Sequence, residues 1–161
     1  MGGADKTDSF ARPSKQSLRA WLHLIKCSKR VEQTISDLFR TRYNSSLSRF
    51  DVLAQLEHSG SEGITTSALA QGLLASKGNI TRLLDRMISD GLIERRPSSE
   101  DRRVSYVFLT AKGAEAFHRM AEDHEVWSEE IFGVLSATEL EQLVSLLDRV
   151  RRQVDDQARK R

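Results

Sequence analysis

Residues 64–110 read ITTSALAQGLLASKGNITRLLDRMISDGLIERRPSSEDRRVSYVFLT, and the spacing of the apolar residues within them decides the fold. Ile80, Leu83, Leu84, Met87 and Ile88 recur at the three- and four-residue steps of one helix face, a complete apolar stripe for a helix laid on a core. The opposite face carries Lys77, Asn79, Thr81, Arg82, Asp85, Arg86 and Ser89. Ser76 can cap the start of this helix and Gly91 can end it. A shorter helix precedes it, with Thr65 or Thr66 as its cap. Leu92–Arg96 then reads as a strand, Pro97-Ser98-Ser99 breaks it, and Val104–Leu109, rich in β-branched and aromatic residues, reads as a second strand. Asp101-Arg102-Arg103 lies in the loop between them. A helix-turn-helix followed by a basic two-stranded wing can set a helix in the major groove while the wing reaches the flanking backbone or minor groove.

These residues carry a family resemblance. Leu47-Ser48-Arg49-Phe50-Asp51-Val52-Leu53-Ala54-Gln55-Leu56 resembles the second helix of the MarR family of bacterial winged-helix regulators, and Asn79–Met87 resembles its recognition helix. Asp101 to Gly113 matches the family's wing signature, D-x-R followed by V-x-L-T-x-x-G. Each pattern alone is weak; their order and spacing together are specific. The resemblance implies a mostly α fold with a small β wing. A winged helix-turn-helix lobe over residues 46–110 would be preceded by a flexible arm at 1–13 and a dimerisation helix at 14–45, and followed by dimerisation helices over 111–161.

The bulk properties are those of a soluble globular protein and restrict the alternatives. The chain has 161 residues, 30% of them charged and 39% hydrophobic, enough for one domain with a core. No apolar run approaches the roughly 20 residues of a membrane span, and the first residues, MGGADKTDSFARPSK, lack the apolar segment of a signal peptide; a cytoplasmic location is expected. Net charge is only +2 and unevenly spread: residues 1–44 carry nine Lys/Arg against four Asp/Glu, residues 45–110 eight against eight, and residues 111–161 eight against eleven. The helix-turn-helix is therefore not a crude basic patch, and its case for DNA rests on which face holds the arginines. No nucleophile elbow, phosphate loop or metal motif marks an enzyme, and no cofactor is implied. His23, His58, His118 and His124 include no i, i+4 pair of the kind a helical zinc site uses.

Outside the central stretch, Leu18, Trp21, Leu22, Ile25, Val31, Ile35, Leu38 and Phe39 keep near-helical spacing from about Ser14 to Tyr43. Ser48-x-x-Asp51 reads as a capping box for a helix from about Arg49 to His58, with Gly60–Gly63 as a loop. After the wing, Thr110 can cap a long helix whose stripe is Phe117, Met120, Ala121, His124, Trp127 or Ser128, and Ile131. Ser136-x-x-Glu139 is a second capping box, before a final helix carrying Leu140, Leu143, Leu146, Leu147 and Val150; the charged tail DDQARKR is expected to fray. Stripes this long cannot be buried within one small lobe, so they need partner helices or a second subunit. The family resemblance implies that the first and last helices interlock a homodimer on a pseudo-palindromic operator.

The candidate DNA-binding residues are Ser76, Lys77, Asn79, Thr81, Arg82, Arg86, Arg102 and Arg103. Thr81 and Arg82 sit one to two turns into the helix, where side chains reach base edges and an arginine can pair with guanine. Lys77 and Arg86 are better placed for phosphates. The resemblance puts a wing arginine near the minor groove, with Arg102 and Arg103 both open for that role. A bland reading of the 76–90 face is simple solvation; the wing and the preceding helix weigh against it.

For ligands, Met120-Ala-Glu-Asp-His124-Glu-Val-Trp127 together with LSRFDVLAQL is similar to MarR regulators of aromatic-acid catabolism, several of which answer to an aromatic acid or its coenzyme A thioester. That resemblance implies a repressor released by such an anionic aromatic effector, with Trp21, Arg49, Phe50, His124 and Trp127 as lining candidates. Arg19, Lys26, Arg30, Arg40 and Arg42 would be available to a carboxylate or phosphates. The plainer reading of His124 is a satisfied core or interface histidine. Cys27, the only cysteine, could sense oxidants, or could simply be a small buried hydrophobe between Leu24 and Val31. A winged-helix module that binds protein rather than DNA is the remaining alternative.

Overall fold

The computed structural model describes residues 15–73, 77–98 and 104–160, with only the backbone at 77–78. Six helices and three short strands follow in order: α1 (Lys15–Tyr43), α2 (Leu47–Ser59), β1 (Ile64–Thr65), α3 (Thr66–Gly72), α4 (Lys77–Ser89), β2 (Ile93–Pro97), β3 (Ser105–Leu109), α5 (Ala111–Phe132) and α6 (Ala137–Arg159). The helical stripes read from the sequence become helices, and several ends are set by the side chains expected. The Thr65 hydroxyl accepts from the Ala68 amide, Thr110 caps α5 through the Gly113 amide, and Ser136 with Glu139 forms the complete capping box of α6. The predicted 1–13 arm lies outside the described residues.

Five details differ from the sequence reading. α2 starts at Leu47, capped by Ser46 rather than Ser48: the Ser46 hydroxyl accepts from the Arg49 amide, which leaves Asp51 one turn inside the helix with no capping role. The Gly60–Gly63 loop contains a single 3-10 turn, Gly60–Glu62. The sheet has three strands rather than two, because Ile64–Thr65 pairs antiparallel with Val107 and Tyr106 to give the order β1-β3-β2. Pro97 ends β2 opposite Ser105 instead of breaking it; on an edge strand the missing N–H costs no ladder bond. The charged tail stays helical through Arg159.

The core sits under the winged lobe. Ile35 and Phe39 of α1, Phe50, Val52, Leu53 and Leu56 of α2, and Leu69 and Ala70 of α3 meet Ile80, Leu84 and Met87 of α4, Ile93, Val107, and Met120 and Trp127 of α5. The expected α1 stripe is thus buried only in its second half. Leu18, Trp21 and Leu22 are 58%, 55% and 43% exposed, and α6 adds no buried residue while exposing Leu140, Val144, Leu146, Leu147, Val150 and Val154. One protomer leaves both stripes uncovered.

One joint connects the lobe to α5. Gly91 takes φ +72° after α4, a left-handed turn that suits glycine, and its amide donates to the Ile88 carbonyl while that of Leu92 returns to Met87. The Thr110 hydroxyl donates to the Gly91 carbonyl at 2.7 Å and the Thr110 amide to the Leu92 carbonyl at 3.1 Å. At Gly113 a Cβ would lie 1.9 Å from the Leu92 carbonyl oxygen, so α5 can cross this turn only with glycine there. This is the physical reason for the glycine that closes the wing signature.

Two outcomes follow for stability. Alanine in a helix is intrinsically favoured over glycine by about 1 kcal/mol, yet Gly113→Ala should destabilise by roughly 1–3 kcal/mol or more, because backbone would have to move; urea unfolding measures it. Asp51 is half-buried, and burial, then the charge of Glu32, pushes its carboxyl pKa above the usual range. The native state therefore holds this proton more tightly than the unfolded chain. Its contribution favours folding at low pH and is lost as pH rises through the native value. Asp51→Asn should raise the melting temperature at pH 7, with the gain shrinking as pH falls towards about 4; a gain that persists at the acid end would contradict the sign.

Candidate nucleic-acid interface and interlobe cavity

The apolar stripe of α4 turns its polar residues outward: Asn79, Thr81, Arg82, Asp85 and Arg86 are all exposed. Arg82 Nη2 donates to Asn79 Oδ1 at 3.1 Å, which holds the guanidinium along the helix surface. Arg82 and Arg86 share a cleft of about 380 Å³ with Ser46, Ser48 and Asp51, so the first turn of α2 stands beside the basic face of α4. An amide-rich helix start next to two arginines is suited to a phosphate backbone. Lys77 opens α4, but its side chain, with Ser76, Arg102 and Arg103, lies outside the described residues. Arg95 of β2 bridges to Asp85 of α4 at 3.2 Å, tying the wing to the helix. Arg96 stacks over the Phe108 ring at 4.6 Å and pairs with Glu94. Sequence reading left Arg95 out; a strand side chain reaching a helix ten residues earlier gives no periodic signal.

The five candidate ligand residues do not form one wall. Phe50, His124 and Trp127 come together in an aromatic cluster built around Phe39, which stacks on Phe50 (4.9 Å between centroids) and takes Trp127 edge-on at 5.2 Å. His124 lies 5.0 Å from the Phe50 ring and 5.7 Å from Phe39. Phe117 and Tyr43 complete the cluster, and the Tyr43 hydroxyl donates to Asp123 Oδ2 at 2.6 Å. Burial, and then the bond to Asp123, raises the tyrosine pKa. Burial lowers that of His124, partly offset by Glu125, so the ring favours the neutral form. Trp21 lies on the exposed half of α1, on the face that also exposes Leu18 and Leu22. Arg49 points the other way, into an ion pair with Asp90, and lines a separate cleft of about 170 Å³ with Tyr43, Asn44 and Arg119.

A larger cavity, about 890 Å³, opens between α1, α5 and α6. Its wall is mainly apolar, from Leu24, Val31, Ile35, Leu47, Phe132, Leu143 and Leu147, with His124 reaching it from the aromatic cluster and His23, Cys27, Ser28 and the acidic Glu32 on the α1 side. His124 is thus packed among the aromatic rings and also borders the cavity. Cys27 is exposed in the protomer rather than buried. None of the five arginines and lysines expected at a rim lines this cavity; Arg40 pairs with Asp37 at 2.8 Å and Arg42 with Asp123. No helix among the described residues is long and apolar enough to cross a membrane.

Comparison with known proteins matches this geometry. The MarR family model matches residues 46–105, from the start of α2 to the start of β3. The chain is 32% identical over 117 residues to the HTH-type transcriptional regulator PrsX of Escherichia coli, covering 73% of this chain and 70% of that protein. It is 30% identical over 143 residues to the transcriptional repressor MprA of Escherichia coli K12, covering 89% and 80%. Among solved structures, a mutant MarR from E. coli complexed with operator DNA superposes with a TM-score of 0.71 at 26% identity, covering 83% of this chain and 93% of that one. With a helix-turn-helix, a paired wing, and relatives of this identity and coverage, the chain belongs to the MarR family and is a DNA-binding transcriptional regulator.

Proposed function

We propose that the protein is a homodimeric repressor that reads a pseudo-palindromic operator through α4 and is released by an anionic aromatic effector, an aromatic acid or its coenzyme A thioester. The 890 Å³ apolar cavity with the neutral-leaning His124 in its wall supports the aromatic part of this reading, while its anionic part rests on the family resemblance, since the wall holds Glu32 and no Arg or Lys. Its size and apolar lining suit a planar ring, and the two histidines offer the polar contacts that orient one. The uncovered stripes of α1 and α6 support a second protomer, since monomers seldom expose such continuous apolar faces. The similar transcriptional repressor MprA favours the repressor form, and the similar MarR structure on operator DNA favours operator reading. Release is a population shift: the effector must prefer a dimer geometry whose two α4 helices no longer fit the operator spacing.

Sedimentation at micromolar concentration should give twice the 18.2 kDa chain mass, and a folded monomer would refute the dimer. Half-sites should lie about one helical turn apart. Arg82→Ala should cost about 1–3 kcal/mol on the operator and relax specificity, whereas Arg86→Ala should weaken all duplexes alike and flatten the salt dependence by roughly one charge. Unchanged operator affinity for Arg82→Ala would remove α4 as the reading helix. In calorimetry, at least one member of a panel of aromatic acids and thioesters should bind the wild type and release DNA. His124→Ala should weaken that binding while leaving ligand-free operator affinity intact. A panel without a single binder would overturn the effector reading and leave the DNA reading standing.

A further inference from the structure

Asp90 is the first residue past α4, and several elements close on it. Arg49, in the first turn of α2, pairs through Nη2 with Asp90 Oδ2. Lys112 of α5 donates from Nζ to the Asp90 carbonyl at 2.7 Å. Five residues earlier Asp85 receives Arg95 of β2. The C-terminal half of α4 is thus referenced to α2, to β2 and to α5, the helix that runs on from the lobe to the cavity.

The other side of Arg49 faces the joint between α1 and α2. Arg49 lines the small cleft there with Tyr43, Asn44, Leu92 and Arg119, and Asn44 turns the chain in a left-handed conformation, φ 47°. It stands between the one sharp bend joining α1 to the lobe and the end of the recognition helix. Its side chain is 23% exposed and that of Asp90 48%, so the pair is partly screened. A pair of this exposure shifts an equilibrium by a few-fold. That is too little to decide whether the chain folds, yet enough to bias a lobe between two nearby orientations.

We infer that the Arg49–Asp90 pair is a positioning device for operator reading: it fixes the angle of the joined α4 and α5 against α2 and the bend that leads from α1, and so the distance between the two recognition helices of a dimer and the half-site spacing the protein selects. Arg49 and Asp90 are positioning residues and need not touch DNA. Arg49 is therefore assigned a role distinct from the effector contact expected of it. The inference rests on the dimeric operator reading above.

The test uses the full-length dimer and a pseudo-palindromic duplex that the wild type selects from a random-sequence pool. Companion duplexes carry one or two extra base pairs between the half-sites, or a single half-site. Arg49→Gln and Asp90→Asn should each reduce discrimination between the selected and the altered spacing about three- to fivefold, with single half-site affinity unchanged and melting temperature nearly so. Arg49→Lys should keep most of the discrimination. The reversed pair, Arg49→Asp with Asp90→Arg, should recover it. The inference is overturned if both single variants keep wild-type discrimination, if half-site affinity falls in parallel with it, or if the reversed pair does no better than either single change. A wild type that forms dimers and binds duplex DNA but shows no spacing preference also overturns it. A wild type that is monomeric or binds no duplex removes the operator reading itself, a failure visible before any variant is made.

Discussion

Backbone lies directly on backbone where α5 crosses the turn after the recognition helix, and the rest of the molecule depends on that contact. A side chain at residue 113 would overlap the Leu92 carbonyl. With glycine there, Thr110 can serve two ends at once, capping α5 through the Gly113 amide and holding the Gly91 and Leu92 carbonyls. The end of α4, the start of β2, the end of β3 and the start of α5 then share one joint with few soft dihedrals. Motion of α5 is consequently motion of α4. A ligand bound far from DNA can act on operator affinity only through a linkage of this kind, because it must prefer one arrangement of two bodies over another.

The second organising feature is the aromatic cluster around Phe39. It joins α1, α2 and α5 by ring stacking and edge contacts, and it places one ionisable ring, His124, at the boundary between packed core and open cavity. A histidine there carries a desolvation cost when charged, so its neutral form dominates and can accept or donate a hydrogen bond to a guest. The cavity itself is bounded by helices whose remaining apolar stripes are uncovered in one protomer. The cavity wall and the uncovered stripes are therefore neighbouring surface.

Much of this was legible in the sequence, for reasons that can be named. The stripe of Ile80, Leu84 and Met87 fixed both the buried side of α4 and, by default, the outward face with Arg82 and Arg86. Ser136 and Glu139 announced α6 because a capping box is a local, reciprocal motif. Ser48 and Asp51 show the same spacing without the function: the chain turns at Asn44, so Ser46 reaches the free amides first. β1 escaped notice because two residues have no period and are strand only through their partners Val107 and Tyr106. Trp21 and Trp127 looked equivalent by helical phase, but only Trp127 lies where α1, α2 and α5 converge. The pairing of Arg49 with Asp90 was not legible, because the two are 41 residues apart, a separation at which single-sequence patterns carry no information.

The central claim is that two copies of α4, each held by this joint, read successive turns of one DNA face. Hydroxyl-radical footprinting of the wild-type protein on a duplex it selects tests that most directly. The account predicts two protected windows on each strand, related by a two-fold axis and centred about one helical turn apart. A single window, or uniform protection without symmetry, would contradict it.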